Sequence, residues 1–304
     1  MKKILSAWIA IMATFNSFAQ TTNDGLLMPK KDFCTGLMYT HDKWTNYWEG
    51  TIKRENGNIG SIITQSAMWF GNYGVTERLN ILASAPYINT KASAGTLHNM
   101  NGLQDFMLSA KYKILEKKID SGKLRVFTVV SGSVPLTNYT PDYLPLSIGS
   151  HSKQATGRLI VNYYTRLKLY VNTSVGYTFR GNVELDRPSY YTDGQIHFTN
   201  VVDMPNVLDF TFSVGYVNKG LETKLSYIRQ DTQGGGDIRR QDMPFVSNRM
   251  NFERVEGLLM YYLPKPKYFA LRGSYSYTLA GRNVGQSSTF LAGILYTFHF
   301  SKSH

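Results

Sequence analysis

Few residues in this chain of 304 are of a kind and spacing that could do chemistry. Six histidines, at His41, His98, His151, His197, His299 and His304, fall in none of the spacings that gather metal ligands. The single cysteine, Cys34, excludes any paired-thiolate site and any internal disulfide. Ser150 and Lys153 reproduce an SxxK spacing, in which a lysine could deprotonate a serine nucleophile, but the companion motifs of that chemistry are missing. No GxSxG occurs. This reading predicts no catalytic residue, no metal and no cofactor, and it ranks an outer-membrane hydrolase behind every non-enzyme alternative. The stretch QDTQGGGDIRRQD, Gln230 to Asp242, combines glycines, aspartates and arginines that could hold a cation or gate a path. Its composition equally describes a solvated loop, which is the preferred reading. Ten charges say more: Asp105, Lys111, Lys113, Arg158, Arg180, Glu222, Lys224, Arg254, Glu256 and Arg272 all fall opposite apolar neighbours in alternating runs. Such charges either line a wet path and tune its selectivity or pair across a filled interior.

The elements that would position them are strands. In SSTFLAGILYTFHF, Ser287 to Phe300, one face is Phe290, Ala292, Ile294, Tyr296, Phe298 and Phe300, and the other carries Thr289, Gly293, Thr297 and His299. The same period of two places Phe106, Leu108, Ala110 and Tyr112 opposite Asp105, Met107, Ser109 and Lys111. Strands are expected near 33–41, 59–73, 77–90, 102–116, 122–136, 155–165, 168–181, 206–218, 220–232, 252–263, 267–281 and 287–300, twelve in all. Tight connections such as EKKIDSGK and VNKGLE alternate with long ones such as Asn138 to Lys153, Gly181 to Pro205 and Gln233 to Met250. That rhythm is the one seen in outer-membrane barrels, with turns in the periplasm and loops outside.

The chain opens on MKKILSAWIAIMATFNSFAQ, in which two lysines precede an apolar run and small residues at Ser17 and Ala19 mark a cleavage site before Gln20. The run is too short to cross a bilayer as a helix. The expected division is a signal peptide at 1–19, a short periplasmic segment at 20–32, a barrel at 33–300 and a tail at 301–304. Nothing as large as a plug domain fits ahead of the first strand, so any constriction is expected from inward side chains or from the outer loops. The net charge of +12 is spread rather than gathered into a stripe, which gives no reason to expect a nucleic-acid partner. Tyrosine (21) and phenylalanine (16) are abundant enough to supply aromatic girdles.

Four stretches go beyond generic pattern: NYGVTERLNILASAPYIN, GLQDFMLSAKYKIL, SGSVPLTNY and the closing GILYTFHF. In these segments and their order the chain resembles the outer-membrane transporter-like family called putative MetA-pathway of phenol degradation. Gln104 stands where members usually have glycine, and Pro135, Leu136 and Thr137 stand in place of a Pro-Thr-Gly turn. The resemblance implies an outer-membrane barrel admitting small aromatic or other poorly soluble compounds.

The sequence therefore predicts an all-β protein, a transmembrane antiparallel up-and-down β-barrel of about twelve strands after a cleaved signal peptide, in the outer membrane of a Gram-negative bacterium. It is expected to act as a narrow passive channel or transporter for small molecules, and the alternative is a non-conducting structural or surface-interaction barrel. Its expected partners are outer-membrane lipid, the barrel-assembly machinery through the C-terminal strand, and a small-molecule solute. A monomer is expected. Phe290, Ile294, Tyr296, Phe298 and Phe300 should face lipid.

Overall fold

The structure, a computed structural model, describes residues 21–240 and 243–300. The expected signal peptide and the tail after Phe300 lie outside the described residues. Twelve long strands follow one another: β1 (Asp32–Trp44), β2 (Ile62–Gly74), β3 (Leu79–Ala92), β4 (Asp105–Ile119), β5 (Gly122–Pro135), β6 (Gln154–Thr165), β7 (Leu169–Arg180), β8 (Val207–Asn218), β9 (Leu221–Thr232), β10 (Asn251–Tyr262), β11 (Phe269–Arg282) and β12 (Ser288–His299). Each pairs antiparallel with its sequence neighbours. β12 then returns to β1, with Cys34 opposite Thr297 and Tyr39 opposite Ala292, so no strand of the barrel keeps a free edge.

Alternation decides which side chains meet lipid and which meet the interior. On β12, Phe290, Ile294 and Phe298 are exposed on the outside, as is Phe300 just after it, Tyr296 is half-buried there, and Leu295 and Thr297 are buried inside. Leu37, Val130, Leu225 and Leu259 continue the exposed apolar belt on other strands. Near the turn end, Phe33 stacks on Phe298 with ring centroids 6.2 Å apart, and Tyr296 meets Phe298 edge-on at 4.6 Å. Tyr39, Tyr87, Tyr275 and Phe290 lie exposed toward the loop end. These are the two aromatic levels that a membrane barrel places at its interfaces.

The β3–β4 ladder has a break. Pro86 has no N–H to donate, and pairing passes from Ser84 opposite Met107 to Tyr87 opposite Leu103, across Gln104. A separate short strand, Met100–Leu103, continues the sheet above it, and the Gln104 amide donates to the Pro86 carbonyl at 3.0 Å.

The long connections carry structure that their polar composition does not announce. Asn46–Glu49 pairs with Ile52–Glu55, and Tyr190–Thr192 with Gln195–His197. Val183, Leu185, Tyr190, Val202, Met204, Phe245 and Val246 form a small apolar cluster that ties loop 181–206 to loop 233–250. Arg187 links it to the loop after β5 through Asp142 at 2.7 Å. Asp237 in the glycine-rich stretch takes two hydrogen bonds from Arg282, each 2.7 Å, so the chain around Asp237 is tied down rather than freely solvated.

Candidate functional site in the lumen

The segment ahead of β1 was expected in the periplasm; it enters the barrel instead. Lys31 turns the chain with a positive φ of 66°, and its amide donates to the Gly74 carbonyl at 2.7 Å. Gly74 is needed there, because a Cβ on it would collide with the Pro29 carbonyl. From this hairpin Thr21 to Met28 run up into the interior. Gly25 passes so close to Asn162 that any side chain would overlap it.

Three anchors hold the segment. Lys111, wholly buried on β4, donates to Asp24 Oδ1 at 2.8 Å and to the Thr21 carbonyl at 2.9 Å. The other Asp24 oxygen accepts from the Thr21 amide and, at 2.8 Å, from its hydroxyl. Asn172 on β7 donates to the Asn23 carbonyl at 2.9 Å. Met28 packs into an apolar cluster with Cys34, Met38, Phe70, Leu82, Leu258, Met260, Ala270 and Leu295, while Leu27 rests against Phe127, Val129 and Ile160. The expectation that constriction comes only from side chains and outer loops thus misses a short plug built from residues 21–28.

The interior is two-sided. Around Met28 the inward residues Cys34, Met38, Phe70, Leu82, Leu258, Met260, Ala270 and Leu295 of β10 to β3 form an apolar patch, bordered by the buried polar groups of Asn72, Asn80 and Thr297. From β4 to β9 the inward positions are mostly polar: Lys111, Asn162, Asn172, Ser174, Ser213, Glu222 and Ser226 are all buried. Beside the plug, toward the turn end, lies a cavity of about 420 Å³ lined by Leu27, Met28, Lys113, Glu116, Arg125 and Tyr164 among others.

All ten charges singled out from the sequence fall on the inward side of their strands. Glu116 gathers Lys113 at 2.8 Å, Arg125 at 3.4 Å and Lys123 at 3.8 Å by the cavity. Deeper in, Glu222 accepts from the Tyr170 hydroxyl at 2.8 Å, and Lys224 lies 3.9 Å from Glu256. Arg158 pairs with Asp209 at 2.6 Å. Asp105 accepts from the Tyr139 hydroxyl at 2.6 Å, and that hydroxyl accepts from the His151 amide at 2.9 Å. Burial and the Asp105 carboxylate push the Tyr139 phenol above the usual tyrosine range, so it stays a donor that pins the loop across the barrel mouth. Leu146 and Ile148 of that loop are buried beneath it. Among the described residues, the Nε groups of Arg180, Arg254 and Arg272 are buried with no hydrogen-bond partner, as are Asn162 Oδ1 and Asn172 Oδ1. The charges therefore form several local pairs at different depths rather than one ring.

The sequence reading passed over Asp24, Met28, Tyr139, Tyr170, Asn172 and Asp209. A signal for the first two was present: TTNDGLLMPKKD places a lone acid before three apolar residues and a proline, a poor composition for a solvated tail.

Residues 58–294 match the family described as Putative MetA-pathway of phenol degradation. No curated protein sequence matches the chain. Among solved structures, the fold is similar to that of an outer membrane channel from Pseudomonas putida F1, at TM-score 0.71 and 12% identity, over 93% of this chain and 100% of that one. The translocator domain of the autotransporter NalP from Neisseria meningitidis superposes more loosely, at TM-score 0.47 and 10% identity, over 88% of this chain and 89% of that one. At such identities the likeness is one of fold, that of a closed outer-membrane barrel.

Proposed function

The chain belongs to the family described as Putative MetA-pathway of phenol degradation, and from that membership we propose that it is a passive outer-membrane conduit for small apolar or aromatic molecules, closed at rest by its own N-terminal segment. The observation that carries this reading is the apolar patch of the inner wall, contributed by β10 to β3, on which Met28 sits. A lumen that served only to hold the barrel together would gain by filling that wall from neighbouring strands, whereas here a separable piece of chain covers it. Residues 1–19 act as a signal peptide removed before Gln20, and the mature chain works as a monomer. Its C-terminal strand, ending on Phe298 and Phe300, presents the barrel to the assembly machinery. The inward charges, spread from β4 to β11, give solvated small molecules and ions a polar path beside that patch, which would also satisfy the unpartnered arginine Nε groups. No residue group here is assigned a catalytic role.

The test is purified full-length protein in planar bilayers, first with salt and then with small aromatic solutes. Conductance that shifts toward cations when Arg158 and Arg272 are neutralised supports a wet path beside the plug. Silent bilayers from a correctly folded barrel, with lumen variants that only lose stability, would leave the non-conducting structural reading in its place.

A further inference from the structure

The outward face of β1 to β3 is layered at its loop end in a way that membrane burial alone does not require. Strand pairing sets Lys43, Ile63 and Lys91 side by side in one row, with both lysines exposed. The next row toward mid-membrane is His41, Gln65 and Asn89, and the one after it Tyr39, Ala67 and Tyr87. Leu37, Trp69 and Ala85 follow. Gln65 donates to the Tyr39 hydroxyl at 2.7 Å, and the Tyr87 hydroxyl donates to Asn101, on the strand beside β3, at 2.9 Å. Just above the lysines, Thr45 and Ser61 share a hydrogen bond of 2.8 Å, and the Ser61 amide donates to the Ser93 hydroxyl at 2.8 Å.

Charge distinguishes this face from the rest of the rim. Arg229, an outward cation on β9, is neutralised by Asp231 at 2.7 Å and Glu253 at 3.8 Å. Lys43 and Lys91 enter no ion pair among the described residues, and no outward position of β1, β2 or β3 is acidic. Two inter-strand spacings place their Cα atoms about 10 Å apart. Flexible lysine side chains across that gap can converge on one phosphate or take one each.

We propose that this face binds a phosphorylated, acylated glycolipid of the outer leaflet, with its phosphates on Lys43 and Lys91. The rows below then meet successive parts of such a molecule: amides and the imidazole at the sugar–acyl junction, tyrosines at the interface, aliphatic and indole surface along the acyl chains. The hydroxyls of Thr45, Ser61 and Ser93 stand at the level of the outer sugars. A glycerophospholipid offers one phosphate and no sugar for the upper rows, so it matches the face less well. The inference rests on the outer-membrane reading, because the loop end must face the outer leaflet.

The experiment measures lipid retained by the purified full chain in detergent, by native mass spectrometry. The probes are bisphosphorylated lipid A, its dephosphorylated form and phosphatidylglycerol. The parent should retain the bisphosphorylated form preferentially, and a Lys43→Gln, Lys91→Gln variant should bind it about thirtyfold more weakly, at roughly a fivefold loss per lysine. Arg229→Gln on the far rim should bind as the parent does. Unchanged retention by the double variant, or equal retention of the dephosphorylated lipid or of phosphatidylglycerol by the parent, overturns the proposal. Heat-modifiable migration of parent and variants, scored before lipid is added, tests the barrel itself, so failure of the membrane reading is told apart from failure of the lipid site.

Discussion

Replacing Asp24 with alanine should open the barrel rather than unfold it. The Lys111 ammonium is wholly buried and is satisfied by Asp24 at 2.8 Å and the Thr21 carbonyl at 2.9 Å, both on the plug. Removing the carboxylate strands a buried charge, which costs about 3 to 5 kcal/mol when nothing relaxes. The plug can relax. The contacts that remain include Met28 and Leu27, each contributing about 1.5 to 3 kcal/mol by burial, and the bonds from Asn172 and from Lys111 to the plug's carbonyls, about 1 kcal/mol or more each. Against these stands the backbone entropy lost by the residues held in place. Without Asp24 the docked state has little margin, and release lets water reach Lys111. A shift of about 3 kcal/mol changes the ratio of docked to released plug about 150-fold. Single-channel recording should therefore show long open periods in Asp24→Ala that are rare in the parent. Adding Lys111→Met removes the stranded charge and should restore closure in large part, so the two substitutions are far from additive. If Asp24→Ala left the open time unchanged while the barrel's thermal stability fell by the whole penalty, the pair would be part of the barrel wall and the gating argument would fail.

Other consequences are open to direct measurement. Ile294→Lys puts a charge on the lipid face of β12 and should lower folding stability in vesicles by about 2 to 4 kcal/mol, seen as loss of the heat-modifiable form, whereas Arg272→Gln on the inward face should keep that form. With Cys34→Ser as background, cysteines at Phe198 or Gln233 should react with an impermeant maleimide on intact cells, and cysteines at Ser121 or Lys265 should not; the opposite pattern would invert the orientation. Asp237 is held down to about 2 by the Arg282 guanidinium, helped by Asn283. A carboxylate depressed in this way stabilises above its ordinary value and loses that contribution as pH falls from about 4 through 2, so pepsin should cut within 233–250 far faster at pH 2 than at pH 4, beyond its own change in activity on a control substrate.

The barrel was legible because a wall with lipid on one side and a lumen on the other imposes a period of two on every strand. Phe290 and Ile294 against Thr297, or Tyr112 against Lys111, state the two faces without any knowledge of neighbours. Strand ends shifted by a few residues where local pairing decides them, as at Trp44, which extends β1 beyond Tyr39 and His41 through pairing with Ile62. Composition could not show that loops 181–206 and 233–250 fold on each other, because Val183, Tyr190 and Phe245 are far apart in the chain and meet only across the mouth. The plug was hidden for the same reason. Asp24 reads as a solvated acid until Lys111, eighty-seven residues later, is placed opposite it. The inward direction of the ten charges followed from alternation alone. Their partners did not, since Asp209 for Arg158 and Tyr139 for Asp105 come from other strands and loops.

The central claim is that small apolar molecules pass along the wall that Met28 covers. The direct measurement is entry of a small aromatic solute and of a sugar of similar size into proteoliposomes bearing the full-length protein, the Asp24→Ala variant or no protein. The account predicts faster entry of the aromatic than of the sugar with the full-length protein, relative to protein-free vesicles, and a further rise for the aromatic in Asp24→Ala. Entry of the aromatic at the protein-free rate in both parent and variant, from barrels shown to be folded, would contradict it.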